Sequence, residues 1–175
     1  DGFKTPILRM SEPVTVQLPG HPVSISSTNL GDLYFFVSNY FSDNRIQLNA
    51  FSNCPKTGKW VHRGQTKFAV TNSEDNTIVD VSEAVVDCTG SASRSAPSTL
   101  KCIVATRGVY SYNVAIEINP PTLEDDSSLQ GISVSKVTTQ QAFYNPINYY
   151  PTQAQRVMDH SYIIFLKDGS SAVTQ

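Results

Sequence analysis

Apolar and polar side chains alternate along residues 110–119, where nearly every second position carries a large apolar group. These positions are Tyr110, Tyr112, Val114, Ile116 and Ile118. A period of two is typical of a half-buried β-strand, because successive side chains of a strand point to opposite faces of its sheet. Weaker copies of the pattern recur along most of the chain. The sequence therefore predicts an all-β scaffold.

Turn signals divide these segments into strands. Residues 33–51 and the surroundings of Asp168-Gly169 are expected to form hairpins. The apolar run 33–37 is typical of a central strand buried on both faces. The single helix candidate runs from Thr152 to Asp159. We expect an antiparallel β-sandwich, jelly roll or barrel of about ten strands, with at most one or two short helices.

Prolines interrupt the beginning of the chain at short intervals, at Pro6, Pro13, Pro19 and Pro22. Because proline lacks the backbone donor that a central strand needs, residues 1–22 are predicted to be a proline-rich linker or edge segment. Residues 23–175 are predicted to be a single β domain, since this length suffices for one hydrophobic core. The chain begins with Asp1 instead of Met, which predicts a processed product or an excised domain.

The net charge of the chain indicates which kinds of partner are not expected. The formal net charge is −2 and the isoelectric point is about 5.9. Binding to nucleic acid needs a basic face that displaces counterions, so no nucleic-acid partner is expected. No apolar run approaches the roughly 20 residues that cross a bilayer, and no signal peptide is present, so no membrane insertion is expected.

Three cysteines leave two interpretations open. Cys88 and Cys102 flank the Ser-rich stretch 89–101, and a disulfide between them would close the base of a long hairpin whose tip is a polar loop. Alternatively, all three cysteines are buried and reduced, as in a protein made in the cytosol. Cys54 is left over in either case. The odd count and the absence of a Cys-x-x-Cys pair argue against a zinc site.

Candidate catalytic and metal-binding groups are sparse. The triplet Asp159-His160-Ser161 contains the residue types of a hydrolase, but neighbouring residues of a strand point to opposite faces and do not form a triad by themselves. The chain has no Gly-x-Ser-x-Gly motif. The three histidines lie in separate segments, and the acidic run 124–126 is interpreted as an exposed turn. We therefore expect no catalytic residues, no metal and no cofactor, and a hydrolase built on His160 is the third hypothesis.

The segment 143–151 is the strongest candidate for a contact surface, because it holds four aromatic residues and two prolines. Tyrosine offers contact area, stiffness and a polar tip, and an asparagine amide beside it suits sugar recognition. The alternative is a loop that packs its aromatics over one end of the sheet. The candidate binding residues are Tyr144, Asn145, Asn148, Tyr149, Tyr150 and the single tryptophan, Trp60.

The proline-punctuated start, from Thr5-Pro6-Ile7 to Leu18-Pro19-Gly20-His21-Pro22, precedes about ten strands rich in Ser, Thr and Asn. In this the chain resembles the protruding, or spike, domain of a small non-enveloped RNA-virus capsid protein. The resemblance covers most of the chain and is one of architecture and composition. It implies host attachment, through a receptor or glycan, and assembly of dimeric or trimeric spikes, through loops and one exposed sheet face. It carries over no site residues.

The sequence also bears on where the protein is made, and it leaves a second hypothesis for its function open. None of the asparagines lies in an Asn-x-Ser/Thr sequon, which favours synthesis in the cytosol or in a bacterium. The resemblance implies a final location at the virion surface. A bacterial carbohydrate-binding or adhesin-type β-sandwich module would share the strands and the exposed aromatics. That module is the second hypothesis for function.

Overall fold

The computed structural model describes residues 2, 13–41, 43–93, 96–119 and 131–174. Within them it is all-β, which confirms the predicted class. The acidic run 124–126 lies outside the described residues. The strands are β1 (Pro22–Leu30), β2 (Leu33–Tyr40), β3 (Asp43–Asn53), β4 (Trp60–Phe68), β5 (Val85–Ser93), β6 (Ala96–Ala105), β7 (Tyr110–Asn119), β8 (Ser133–Tyr144), β9 (Pro151–Met158), β10 (Ser161–Leu166) and β11 (Ser171–Thr174).

The strands form three antiparallel sheets of simple connectivity. The first sheet has the order β1-β2-β3-β4, the second β5-β6-β7-β8, and the third β11-β10-β9. The expected hairpins are confirmed: β2 pairs with β3, and β10 pairs with β11 across Asp168-Gly169. Neighbours in sequence are therefore neighbours in space, as short connections favour.

The second sheet is the middle layer of the domain. Its inner face meets the first sheet in the main core, to which Phe35 and Leu48 contribute from one side and Leu100 and Val114 from the other. Its opposite face is partly covered by the third sheet, where Ile103 of β6 joins a smaller core. Because β6 is covered on both faces, its residues 102–105 form a continuous apolar run, whereas the alternation along β7 marks a strand with one face in the main core.

Glycines allow the first two sheets to meet closely at one side. A Cβ atom on Gly90 of β5 would lie 1.9 Å from the carbonyl oxygen of Asn29 in β1. No residue other than glycine fits this approach without moving the backbone. On the other side, a Cβ on Gly64 of β4 would lie 2.7 Å from the backbone nitrogen of Ile132. These contacts hold the sandwich closed along both edges.

Three local expectations were wrong. The predicted helix Thr152 to Asp159 is mostly strand β9, because pairing with β10 satisfies its backbone and sets its conformation. The stretch 89–101 is mostly strand, since β5 and β6 continue their pairing as far as Ser93 and Ala96. The run 33–37 is buried on one face only, because no sheet formed by the described residues covers the outer side of the first sheet.

Cys88 and Cys102 lie directly opposite each other on β5 and β6 and are joined by a disulfide, with their Cα atoms 4.0 Å apart. Both side chains face the main core. The bond links two strands that are already paired, at the centre of the hairpin. Cys54 is buried and carries no disulfide.

Candidate functional site

The segment 143–151 divides into packed and displayed residues. Tyr149 is buried in the smaller core, where Phe143 packs edge-on against its ring. Burial raises the pKa of Tyr149 to about 12, and the neighbouring Ser111 hydroxyl opposes that rise. The Tyr149 hydroxyl forms no hydrogen bond of good geometry with any described residue. Tyr149 is therefore a core residue, and it is not available to a partner.

The side chain of Asn145 connects neighbouring segments of the chain through hydrogen bonds. Its amide nitrogen donates hydrogen bonds to the carbonyl oxygens of Thr106 and Gly108, at 2.9 and 2.8 Å. Its side-chain oxygen accepts a hydrogen bond of 2.7 Å from the buried Ser111 hydroxyl. Since both ends of the amide are engaged, Asn145 positions the chain after β8 and offers little to a ligand. Its neighbour Asn148 is exposed, with a φ of 62° at the turn.

The remaining two tyrosines of the segment differ in exposure. Tyr144 is 72% exposed, and its ring lies against that of Tyr110, with the centroids 4.5 Å apart. Tyr150 is half-buried, with the Arg107 guanidinium 3.1 Å above its ring centroid and Lys167 at 4.7 Å. Tyr144 is thus the one tyrosine of this segment that is widely exposed.

Trp60 lies apart from these residues, on the outer face of the first sheet. The ring of Tyr34 packs edge-on against it at 5.2 Å, and Phe36 packs in the same way against Phe51 at 5.4 Å. The ring of His62 lies 5.0 Å from that of Phe51. We call the surface formed by Tyr34, Phe36, Phe51, Trp60 and His62 the aromatic face.

The register of the strands explains this cluster. Tyr34 lies opposite Phe51, and Phe51 lies opposite His62, so that alternate residues of β2, β3 and β4 share one side of the sheet. The other side, with Phe35 and Leu48, enters the main core. The sequence analysis missed Tyr34, Phe36 and Phe51. One usable signal was present: the partner of Phe36 on β1 is Ser27, an exposed polar residue, which indicates that this side of the strands is outside the core.

Residues 13–18 run along the aromatic face and make it concave. They form one wall of two neighbouring depressions with volumes of about 530 and 300 Å³. The larger one is lined by Tyr34, Phe36 and Trp60, and the smaller one by Phe36, Ile25 and Asn49. Tyr34 and Phe36 are 44% and 45% exposed. Large apolar side chains with this exposure, grouped on one surface, make it a candidate contact site.

Charged residues on this side of the first sheet are confined to one end. Lys67 and Arg45 there form ion pairs with Asp43, at 2.7 and 3.1 Å. Around the aromatic rings the described strand residues are uncharged. The histidine of the face is His62, and burial lowers the pKa of its imidazole, which favours the neutral form. Its Nε2 lies 3.0 Å from the Asn49 side-chain oxygen. Aromatic enrichment together with depletion of charge is the composition of the centre of a protein interface.

The hydrolase candidate occupies a turn. Asp159 and His160 connect β9 to β10, and His160 has a φ of 62°. Asp159 accepts hydrogen bonds from Lys101 and Arg156. The described residues contain no group of three or more His, Cys, Asp or Glu side chains arranged to hold a metal ion. None of the described residues forms a helix that could span a membrane.

Comparison with known proteins found no match for the chain among protein-family models, curated proteins or solved structures.

Proposed function

We propose that the chain is a non-catalytic surface domain of a virus capsid, which projects from the shell and associates with further copies of itself through the aromatic face. The observation that carries the proposal is the aromatic face, which residues 13–18 cover only in part and around whose rings the described strand residues are uncharged. The spike-domain resemblance requires such a face. In this proposal, association builds the spike, and the spike presents the surfaces that attach the particle to a host cell.

A second copy of the chain is the occupant that these features favour. Two copies related by a twofold axis bring the same face together, so any unpaired charge at its centre would meet its own copy and repel it. The central rings carry no charge, and the charged residues at the end of the face are already paired with one another.

The size of the face is compatible with this role. Four strands about 4.8 Å apart and about nine residues long give a footprint of roughly 20 by 30 Å. With its side-chain relief and the adjacent residues 13–18, such a face is of the order of the 800 Å² per partner that a standard interface buries. Tyrosine and tryptophan, which contribute much of the binding energy at interfaces, are present at Tyr34 and Trp60.

The test compares two phenylalanines of nearly equal exposure. Phe36 on the aromatic face is 45% exposed, and Phe165 on the third sheet is 44% exposed. Light scattering coupled to size exclusion should show a dimer or trimer for the parent and a monomer for Phe36→Lys, while Phe165→Lys keeps the parent's mass. The thermal unfolding of both variants is also measured, to show that neither substitution unfolds the domain.

Two results would overturn this proposal. One is a parent protein that stays monomeric at the highest soluble concentration. The other is loss of the oligomer in Phe165→Lys with retention in Phe36→Lys. A monomer in which soluble sugars quench the fluorescence of Trp60 would instead favour the carbohydrate-binding module.

A further inference from the structure

A polar pocket lies on the other side of the domain, where the third sheet leaves part of the second sheet uncovered. Its volume is about 270 Å³. The floor is the outer face of β7 and β8, with Asn113, Thr138 and Gln140. The wall is the turn between β9 and β10, with Asp159 and His160. This size suits one small polar molecule, since it falls just below the roughly 300–1,000 Å³ of pockets for drug-sized ligands.

The wall of the pocket is rigidly built. The side chain of Arg156 is only 7% exposed, and it donates hydrogen bonds to the Thr89 hydroxyl and the Asp159 carboxylate. Its backbone nitrogen donates to the half-buried Asp87 carboxylate at 2.7 Å. Arg156, which also lines the pocket, therefore orients the exposed Asp159 carboxylate. The partly exposed Lys101 approaches the same carboxylate from the pocket side, with Nζ 3.2 Å from Oδ1.

The floor residues are neutral and oriented. The Tyr162 hydroxyl donates to the side-chain oxygen of Asn113, which leaves the amide nitrogen of Asn113 as the group with hydrogen atoms to donate. Thr138 and Gln140 are exposed on the same face, and the side chain of each has both a donor and an acceptor group. The floor thus adds hydrogen-bonding capacity without adding charge.

His160 is held in an uncommon backbone conformation. Its φ of 62° lies in the left-handed region, where glycine or asparagine is the less costly choice. A histidine at this position puts an imidazole at the pocket's rim, where a glycine would provide the turn alone.

We infer that this pocket binds a polyhydroxyl ligand, one ring of a neutral saccharide. A sugar hydroxyl donates and accepts at once, so it can bridge the Lys101–Asp159 ion pair from the side, accepting from a further N–H of the ammonium and donating to a carboxylate oxygen. The neighbouring Asn113 and Gln140 can take a second hydroxyl. Lys101 and Arg156 also line the pocket, so a small anion is the competing ligand, and titration with acetate and phosphate distinguishes it from a sugar.

The inference rests on the proposed function only in assigning the pocket to host attachment. It locates the attachment site away from the aromatic face, so that the pockets of an assembled spike stay open to the outside. Binding of sugar is a property of each copy and does not require the oligomer.

The test is an NMR titration of the labelled full chain with the methyl glycosides of glucose, galactose, mannose and N-acetylglucosamine, and separately with acetate and inorganic phosphate. At least one glycoside should cause saturable shifts at Asn113, Thr138 and Gln140, with a dissociation constant in the millimolar range. Asp159→Ala should weaken this binding about tenfold, the loss expected for one charge-assisted hydrogen bond. Asp168→Ala, which removes the carboxylate of the other turn of the third sheet, should leave it unchanged.

Three outcomes would overturn the inference. They are the absence of saturable shifts with all four glycosides, saturable binding of acetate or phosphate alone, and equal sugar affinity in Asp159→Ala and the parent. The monomeric Phe36→Lys variant separates the two proposals. If it binds sugar as the parent does, the pocket stands independently of self-association.

Discussion

The side chain of Asn145 donates a hydrogen bond of 2.8 Å to the carbonyl oxygen of Gly108 and so ties the end of β8 to the bend between β6 and β7. The same amide also holds Thr106 and Ser111. A residue that looked suited to ligand recognition is thus engaged within the domain. This arrangement leads to the first prediction.

Replacing Asn145 with Ala should destabilise the domain by about 2–3 kcal/mol, because it removes several hydrogen bonds and leaves the carbonyl of the buried Thr106 and the Ser111 hydroxyl without this partner. Asn148→Gly is the matched control, since Asn148 is exposed and glycine tolerates its positive φ. That variant should stay within about 0.5 kcal/mol of the parent. Urea unfolding measures the stability of both variants, and equal stability would show that the hydrogen bonds of Asn145 do not stabilise the domain.

Tyr149 should respond in opposite ways to two substitutions. Tyr149→Phe removes a hydroxyl that is buried without a good hydrogen bond, so stability should be unchanged or rise by up to about 1 kcal/mol. Tyr149→Ala leaves a cavity in the smaller core and should cost about 3–5 kcal/mol. Thermal unfolding compares them with Tyr144→Ala, which should cost less than 1 kcal/mol or so because that ring is mostly exposed. A mild Tyr149→Ala variant would argue that the ring is displayed.

Gly90→Ala should be among the most damaging single-methyl changes in the protein. The added Cβ would lie 1.9 Å from the Asn29 carbonyl oxygen, and only a shift of β1 or β5 relieves that overlap. We expect a loss of about 3 kcal/mol or more, at the upper end of overpacking effects. Gly20→Ala is the control, since a Cβ there meets nothing within 4 Å. The two chemical-denaturation midpoints should differ clearly, and similar midpoints would contradict the close approach of the two sheets.

The ion pair at the end of the aromatic face should make part of the stability depend on pH. A hydrogen bond from Lys67 is the largest cause that lowers the pKa of Asp43, and Arg45 contributes further. A carboxyl group whose pKa is lower in the folded state stabilises that state above its unfolded pKa, and the contribution disappears as the pH falls through the folded pKa. Asp43→Asn should therefore cost about 0.5–1 kcal/mol at neutral pH.

Below the lowered pKa of Asp43 the parent and Asp43→Asn should unfold with the same free energy. High salt at neutral pH should also reduce their difference, because a partly exposed pair is screened. Unfolding curves of the parent and of Asp43→Asn, recorded at neutral pH and below the lowered pKa of Asp43, with and without added salt, check both expectations. A difference that persists in acid would mean that the aspartate contributes through something other than its charge.

Alternation along the chain was sufficient to predict most of the strands and the all-β class. The pattern from Tyr110 to Ile118 marks β7, because the side-chain period of a strand is a local property of the backbone. The turn at Asp168-Gly169 was predictable for the same reason, since its residues prefer that conformation. Residues 152–159 show the limit of local reasoning: a short segment with no marked period adopts the structure that its neighbour β10 imposes.

The candidate sites required the tertiary structure. Tyr34 and Phe35 are neighbours of similar character in the sequence, yet Phe35 is in the core and Tyr34 is exposed, because among the described residues only one side of the first sheet meets another sheet. Lys101 and Asp159 are 58 residues apart and meet only because the third sheet folds back over the second. By itself the sequence determined most of the segments that are strands, through side-chain alternation. Which faces are covered and which distant side chains share a pocket depended on how the sheets stack, and stacking involves contacts between residues far apart in the chain.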